Sequence, residues 1–152
     1  MDTDSRDFIG KVYVTESPVQ VTAEMIAAFC AAIGETNPLY VDAAAAQAGP
    51  HGRLIAPLSI SGSFRAAESI LDLLPRHERR LLGSMELEFI APIGAGDRIT
   101  VASEIAEIYQ KTGRSGRLTF TVIRSTLTNQ NGEIVTRIDH RFTTRQAPLP
   151  RE

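Results

Sequence analysis

The sequence predicts an α+β domain in which a long antiparallel sheet wraps around one central helix. The first half of the chain carries helical periodicity, and the second half changes to long stretches rich in β-branched residues. Two turn signals separate those stretches, KTGRSGR at 111–117 and the pair Asn131-Gly132, and they predict consecutive antiparallel strands. One long helix then has to cover the sheet, and we expect the core to lie between the two.

Two short helices are predicted ahead of the central one. The first spans about residues 23–33, with Thr22 as its N-cap and Gly34 at its end. The second spans residues 43–48, and Asp42 is its expected cap.

The central helix is predicted over residues 58–74. Pro57 suits its first turn, and Pro75 ends the apolar stripe. Part of its surface carries unusually small side chains, so that the backbone of another segment or a ligand can approach the helix closely. The small residues are Ser59, Ser61, Gly62, Ser63 and Ala66.

Strands account for most of the second half. They are predicted at 85–89, 98–109, 118–129 and 134–144. The single domain therefore spans residues 8–145. Residues 1–7 are polar and residues 146–152 carry two prolines, so both ends are expected to be loose.

Composition excludes several classes of function. The 152 residues suit one domain, and the net charge of −2 leaves no basic field for a nucleic acid or an anionic membrane. No apolar run approaches the roughly 20 residues of a membrane span, and the first residues do not have the pattern of a signal peptide. We therefore expect a cytoplasmic protein.

The single cysteine limits redox and metal chemistry. Cys30 has no second cysteine to pair with, and it lies between Phe29 and Ala31 on the apolar face of the first helix. It is predicted to be a small core residue rather than a nucleophile. No metal and no redox cofactor are expected.

The segment FCAAIGETNPLYVDAAAAQAG at 29–49 resembles a segment of the MaoC-type enoyl-thioester hydratases and dehydratases. That family carries a helix, then Gly-Asp-x-Asn-Pro-(Leu/Ile)-His-x-Asp, then a short alanine-containing helix. Three further pieces follow in the family's order: GRLIAP at 52–57, ELEFIAPIGAGDRITVASEI at 86–105 and LTNQNGEIV at 127–135. The details are most similar to N-terminal-type dehydratase domains and mycobacterial (3R)-hydroxyacyl dehydratase subunits.

The resemblance implies a fold, a ligand and a partner. The fold is the hot-dog fold, an antiparallel sheet wrapped around a central helix. The ligand is an acyl thioester of coenzyme A or of a carrier protein, in fatty acid or polyketide metabolism. The domain is expected to form a homodimer, or a heterodimer with a MaoC-like subunit, because an exposed sheet edge favours association and family sites lie between protomers.

The resemblance also implies candidate catalytic residues. In active members, an aspartate after the glycine activates water, and a histidine five positions later handles the α-proton. Here Glu35 and Tyr40 occupy those positions. His51, in a loop near the expected pocket mouth, is the candidate replacement for the missing imidazole. His140 lies beside Asp139 in the last predicted strand, where alternation places one of the two inward, so that an inward His140 is a second candidate.

Candidate substrate-binding residues follow from the same comparison. The N–H of Leu58, at the start of the central helix, takes the position that polarises the thioester carbonyl. The small surface of Ser59 and Gly62 is expected to let the acyl chain pass. Asn37 is expected to brace the site loop. Arg114 and Arg117 flank a glycine-rich turn where they could meet phosphates of the carrier, although a solvated turn is the better explanation of both.

The altered dyad leaves three functions open. The chain is either an acyl-binding subunit that shapes the site of an active MaoC-like partner, or a self-sufficient hydro-lyase that uses Glu35. The third alternative is a related hot-dog enzyme that catalyses isomerisation or cyclisation. A purely structural or regulatory hot-dog protein is the remaining possibility.

Overall fold

A computed structural model describes residues 5–64, 70, 80–113 and 116–145 of the chain. Within them, six strands form one antiparallel sheet. The strands are β1 (Val12–Val14), β2 (Val19–Gln20), β3 (Arg80–Phe89), β4 (Arg98–Gly113), β5 (Gly116–Thr128) and β6 (Ile134–Arg145). Their order across the sheet is β1-β4-β5-β6-β3, and β2 pairs with β4 beside β1. The predicted antiparallel order of the second half is confirmed.

Helices α1 (Ala23–Ile33) and α3 (Ala43–Ala48) lie where the sequence predicts them. The Thr22 hydroxyl accepts a hydrogen bond from the Met25 N–H at 3.1 Å, and Asp42 caps α3 in the same way. Gly34 ends α1 with φ at 71°, a left-handed conformation that glycine adopts at no steric cost. A four-residue helix between them, α2 (Pro38–Val41), was not predicted.

The central helix begins at Leu58 as predicted, but its first turns are a 3-10 helix, Leu58–Ser63, that ends at Phe64 in extended backbone. The Ser61 hydroxyl donates to the Leu58 carbonyl, and the Ser63 hydroxyl donates to the Ile60 carbonyl at 2.6 Å. Such bonds occupy carbonyls that an α-helix would use. The prediction of one continuous α-helix from residue 58 is therefore wrong at its start. Of its remainder only Ile70 is described, and Ile70 is helical and fully buried.

The strands confirm the sequence prediction and extend it. The strand predicted at 85–89 begins at Arg80, and a register shift between Leu82 and Ser84 lets it bend. The Asn131-Gly132 pair forms the predicted turn, in which the Asn129 N–H donates to the Glu133 carbonyl at 2.9 Å. At the other end of the chain, residues 5–8 form a short 3-10 helix, so order begins before the predicted boundary at residue 8.

The core lies against the inner face of the sheet. Its larger cluster is Val21, Ile26, Cys30, Ala56, Ile60, Phe64, Ile93, Ile99, Val101, Leu127, Val135 and Ile138. Cys30 is 2% exposed, which confirms its prediction as a core residue. A second cluster joins Ile70 to Ile105 and Ile123. No helix in the described part of the chain is both long and apolar enough to cross a membrane.

One edge of the sheet is unusually apolar. β3 pairs with β6 on one side only, so its other edge has no neighbour within the described chain. Leu82, Met85 and Phe89 point to the inner face, where alternation places them with Leu87, yet they are 54%, 47% and 42% exposed. An open strand edge with exposed apolar side chains is a surface at which a second chain can pair.

Candidate functional site

The first wall of the candidate site is the loop that follows α1. Glu35 begins it, and its backbone N–H donates to the Cys30 carbonyl at 2.9 Å. Its side chain turns back: one carboxylate oxygen, Oε1, accepts from the N–H groups of both Thr36 and Asn37 at 2.9 Å. These are charge-assisted bonds, which are stronger than neutral ones. The carboxylate therefore holds the conformation of its own loop.

Asn37 and Tyr40 continue this wall. The Asn37 amide oxygen accepts from the Leu39 N–H at 3.0 Å and caps α2. Tyr40 is half-buried and packs against the larger core cluster. Its carbonyl lies 4.0 Å from the Cys30 Sγ. Burial, with a smaller contribution from the Glu35 charge, raises the pKa of the Cys30 thiol, which keeps it protonated and unreactive.

The second wall is the segment that leads into the central helix. Residues 54–56 lie antiparallel to residues 93–95: the Ala56 N–H donates to the Ile93 carbonyl at 2.8 Å, and the Ala95 N–H donates to the Leu54 carbonyl at 2.9 Å. The Ile55 N–H donates to the Leu39 carbonyl at 3.3 Å and so connects the two walls.

A narrow cleft lies where this segment enters the 3-10 helix. Its volume is about 10 Å³, roughly the space of one water molecule. It is lined by Ala56, Pro57, Leu58, Ile60, Ser61, Phe89, Ala91, Ile93 and Thr136. None of the residues described accepts a hydrogen bond from the Leu58 N–H, as is usual for the first N–H of a helix. This amide is therefore available at the position predicted for polarising a carbonyl.

Ser59 and Gly62 lie on the exposed side of the same turn. The Leu58 side chain is 50% exposed and Ser59 is exposed. Gly62 is half-buried, and a Cβ placed on it would meet no atom of the described residues within 4 Å. Within the described part of the chain, this side of the helix is therefore not packed under a strand.

The predicted catalytic residues do not line this cleft within one protomer. Glu35 and Tyr40 belong to the first wall, which meets the second through the Leu39–Ile55 hydrogen bond. His51 is exposed in the turn after α3. His140 points to the inner face, opposite Met85 and Ile123, and its ring stacks near Phe142. None of the four predicted side chains is therefore among those that line the cleft.

Of the two arginines that could meet phosphates of the carrier, the structure describes only Arg117. Arg117 is exposed at the start of β5, and Arg114 lies outside the described residues, as does His77. Within the described segments, no three histidine, cysteine, aspartate or glutamate side chains are grouped so that they could hold a metal ion.

One group that the sequence analysis did not assign to the site is a buried ion pair. Arg53 donates to both carboxylate oxygens of Asp97, at 2.7 and 3.0 Å, and the Asp97 side chain is 1% exposed. Burial on its own raises the pKa of Asp97, but hydrogen bonds from Arg53, Gly94 and Gln130 outweigh it and lower that pKa. Asp97 lies in the family-like piece at 86–105, yet a contact between residues 44 positions apart leaves no local signal in the sequence.

Comparison with known proteins decides the family. Residues 7–138 match the family model described as FAS1-like, dehydratase domain region. The chain belongs to this FAS1-like dehydratase family. A UPF0336 protein of Streptomyces griseus is 33% identical over 135 residues, which are 86% of this chain and 87% of that protein.

Solved structures confirm that this FAS1-like dehydratase domain has the predicted hot-dog fold. The HadBC (3R-hydroxyacyl-ACP dehydratase) complex of Mycobacterium tuberculosis includes a chain that is 20% identical, with a TM-score of 0.75; the match covers 94% of this chain and 99% of that one. The R-hydratase PhaJ1 of Pseudomonas aeruginosa is 22% identical, with a TM-score of 0.69, over 95% of this chain and 90% of its own. The predicted resemblance to MaoC-like proteins is also confirmed.

Proposed function

We propose that this protein is an acyl-thioester-binding subunit of a hydratase or dehydratase complex and does not catalyse hydration by itself. The observation that carries the proposal is the state of Glu35, at the position of the family's catalytic carboxylate. Its Oε1 accepts two backbone N–H groups of its own loop. Both acceptor positions of Oε1 are thereby used by the loop, which gives this carboxylate a structural role.

The neighbouring position agrees with this proposal. The family's imidazole is replaced by the phenol of Tyr40, whose ring packs against the core. A phenol has a reference pKa of about 10, against about 6.5 for imidazole, and is a poor reversible proton carrier near neutral pH. Both groups needed for proton transfer to and from an enoyl thioester are thus altered.

The features needed for binding are retained. The Leu58 N–H stands at the start of the central helix with no acceptor among the described residues, and a backbone amide needs no particular side chain to polarise a carbonyl. Gly62 leaves open surface beside it. A subunit with this combination can hold an acyl thioester and supply one wall of a site whose proton transfer is performed by another chain.

The partner is proposed to pair along β3. The edge is unpaired within the described sheet, and Leu82, Met85 and Phe89 remain about half exposed on its inner face. Pairing there would extend the sheet into a second subunit and cover the Phe89 side of the cleft. The partner would be a second copy or a MaoC-like subunit with the intact Gly-Asp-x-Asn-Pro-x-His segment.

The first test is the activity of the purified protein alone on a crotonyl thioester. We expect hydration close to the uncatalysed rate, and Glu35→Gln should change neither the rate nor acyl-thioester binding by more than about twofold. The alternative, a self-sufficient hydratase that uses Glu35, predicts clear activity that Glu35→Gln lowers by about 100-fold, the usual scale for a general base. That result would contradict the proposal.

A further inference from the structure

The ion pair between Arg53 and Asp97 connects the two strand-like segments of the second wall to the turn between β5 and β6, which carries Gln130. The Asp97 carboxylate is fully buried and accepts four hydrogen bonds: two from Arg53, one from the Gly94 N–H at 2.8 Å and one from the Gln130 amide at 3.2 Å. Every strong acceptor position of the carboxylate is used, so its orientation is fixed.

The backbone of Asp97 extends the same connection to α1. Its carbonyl accepts from the Val21 N–H at 2.8 Å, and the neighbouring Gly96 N–H donates to the Val21 carbonyl at 2.9 Å. Val21 immediately precedes Thr22, the cap of the helix that carries the Glu35 loop. Asp97 therefore fixes the start of α1, the helix that leads to the first wall.

Arg53 reaches the second wall. It lies five positions before Leu58, and the segment between them is paired with residues 93–95. Gly94 makes this close approach possible, because a Cβ there would lie 2.9 Å from the Arg53 guanidinium carbon and from the Leu54 carbonyl oxygen. The guanidinium thus holds the strand-like segment that delivers the Leu58 N–H to the cleft.

We propose that Arg53 and Asp97 are positioning residues of the acyl-thioester site, which fix the direction in which the Leu58 N–H meets the thioester carbonyl. This inference rests on the proposed function. The proposed role is more than a contribution to fold stability. A displacement of about 1 Å at the Leu58 N–H would be enough to lose much of the polarisation of the thioester carbonyl. The Arg53 guanidinium holds the Asp97 carboxylate through two parallel hydrogen bonds, which fix the orientation of both groups. A lysine at position 53 would keep the charge but could not form this pair of bonds.

The test compares the wild type with Arg53→Met and Arg53→Lys. The probe is hexanoyl-coenzyme A carrying a ¹³C label at the thioester carbonyl, a saturated thioester that cannot be hydrated. Calorimetry measures its affinity, and difference infrared spectroscopy measures the shift of its carbonyl stretch. Arg53→Met should weaken binding by about 10-fold or more and remove the shift, while Arg53→Lys should keep most of the fold stability and lose a large part of the shift.

The control is a second bidentate pair of the same chemistry, whose two residues do not line the cleft. Arg124 donates to both carboxylate oxygens of Asp139, at 2.8 and 2.6 Å, on the outer face of the sheet. Arg124→Met should leave affinity within about twofold of the wild type and leave the carbonyl shift unchanged.

The possible outcomes distinguish a failure of the proposed function from a failure of the positioning role. If the wild type does not bind hexanoyl-coenzyme A, the proposed function fails and this inference fails with it. If the wild type binds, and a folded Arg53→Met protein keeps the same affinity and carbonyl shift, the positioning role alone is overturned. If Arg53→Met does not fold, Arg53→Lys decides: an unchanged carbonyl shift in that variant overturns the role.

Discussion

Replacing Met85 by lysine should weaken subunit association at the β3 edge. Met85 is near the middle of β3, and if two copies pair there in antiparallel orientation, a two-fold axis would bring their equivalent residues together. Its side chain is 47% exposed, and full burial of a methionine contributes about 1.5–3 kcal/mol. Covering the exposed part in both copies therefore contributes about 1.5–3 kcal/mol per dimer, and its loss corresponds to an increase of about 10- to 100-fold in Kd.

Sedimentation velocity over a concentration series measures this Kd. Glu86→Lys is the matched control, because Glu86 is the next residue of the same strand, is exposed, and points to the outer face opposite Asp139. The control should leave Kd within about twofold of the wild type. Association that is unchanged by Met85→Lys would refute pairing through the inner side of β3. Weakening of equal size in both variants would show a general effect of charge.

Three further predictions concern the site. The double change Glu35→Asp with Tyr40→His should raise hydration of a crotonyl thioester well above that of the wild type; a folded, ligand-binding, inactive double variant would favour different chemistry. Gly62→Leu should shorten the longest acyl chain accepted and leave assembly intact, since a Cβ there meets no atom within 4 Å; unchanged chain length would remove Gly62 from the acyl path. Arg53→Met should lower the free energy of unfolding more at pH 7 than at pH 3.5, as followed by urea titration at each pH.

The sign of that pH effect follows from Asp97. In the wild type its folded-state pKa is lowered, so the stabilisation is present at neutral pH and is lost as the pH falls through that pKa. Without Arg53, burial dominates and raises the pKa of the carboxyl, so that acid protonates it and relieves the cost of a buried unpaired charge. The free energies of unfolding of the wild type and of Arg53→Met should therefore become more similar in acid. A constant difference across pH would contradict this account of the pair.

Local patterns in the sequence predicted most of the fold. Caps at Thr22 and Asp42, the end of α1 at Gly34 and the Asn131-Gly132 turn depend on a few neighbouring residues, and each appears where expected. The start of the central helix was predicted less well. The Ser61 and Ser63 hydroxyls donate to carbonyls three residues earlier, where they compete with the backbone N–H groups of an α-helix. The helical periodicity of the apolar residues contains no information about this competition.

The candidate site was predictable only in part, because it depends on contacts distant in sequence. The hydrogen bond between Asn37 and the Leu39 N–H spans two residues, and such local contacts can be anticipated from the sequence. The folding back of Glu35 depends on the conformation of its loop, and the pairing of Arg53 with Asp97 depends on the packing of the segments on either side of the central helix. Residue identity alone therefore predicts a carboxylate at Glu35, but not the two backbone N–H groups from which its Oε1 accepts.

The most direct test of the account is a mixing experiment with a MaoC-like partner that carries Gly-Asp-x-Asn-Pro-x-His, preferably one encoded by a neighbouring gene. Size-exclusion chromatography with light scattering measures assembly, and a hydration assay on short and long enoyl thioesters measures activity. We predict a stable heterodimer, little activity from this protein alone, and raised or extended activity of the partner on long or bulky chains. A stable homodimer with full activity, unaffected by the partner, would contradict the account.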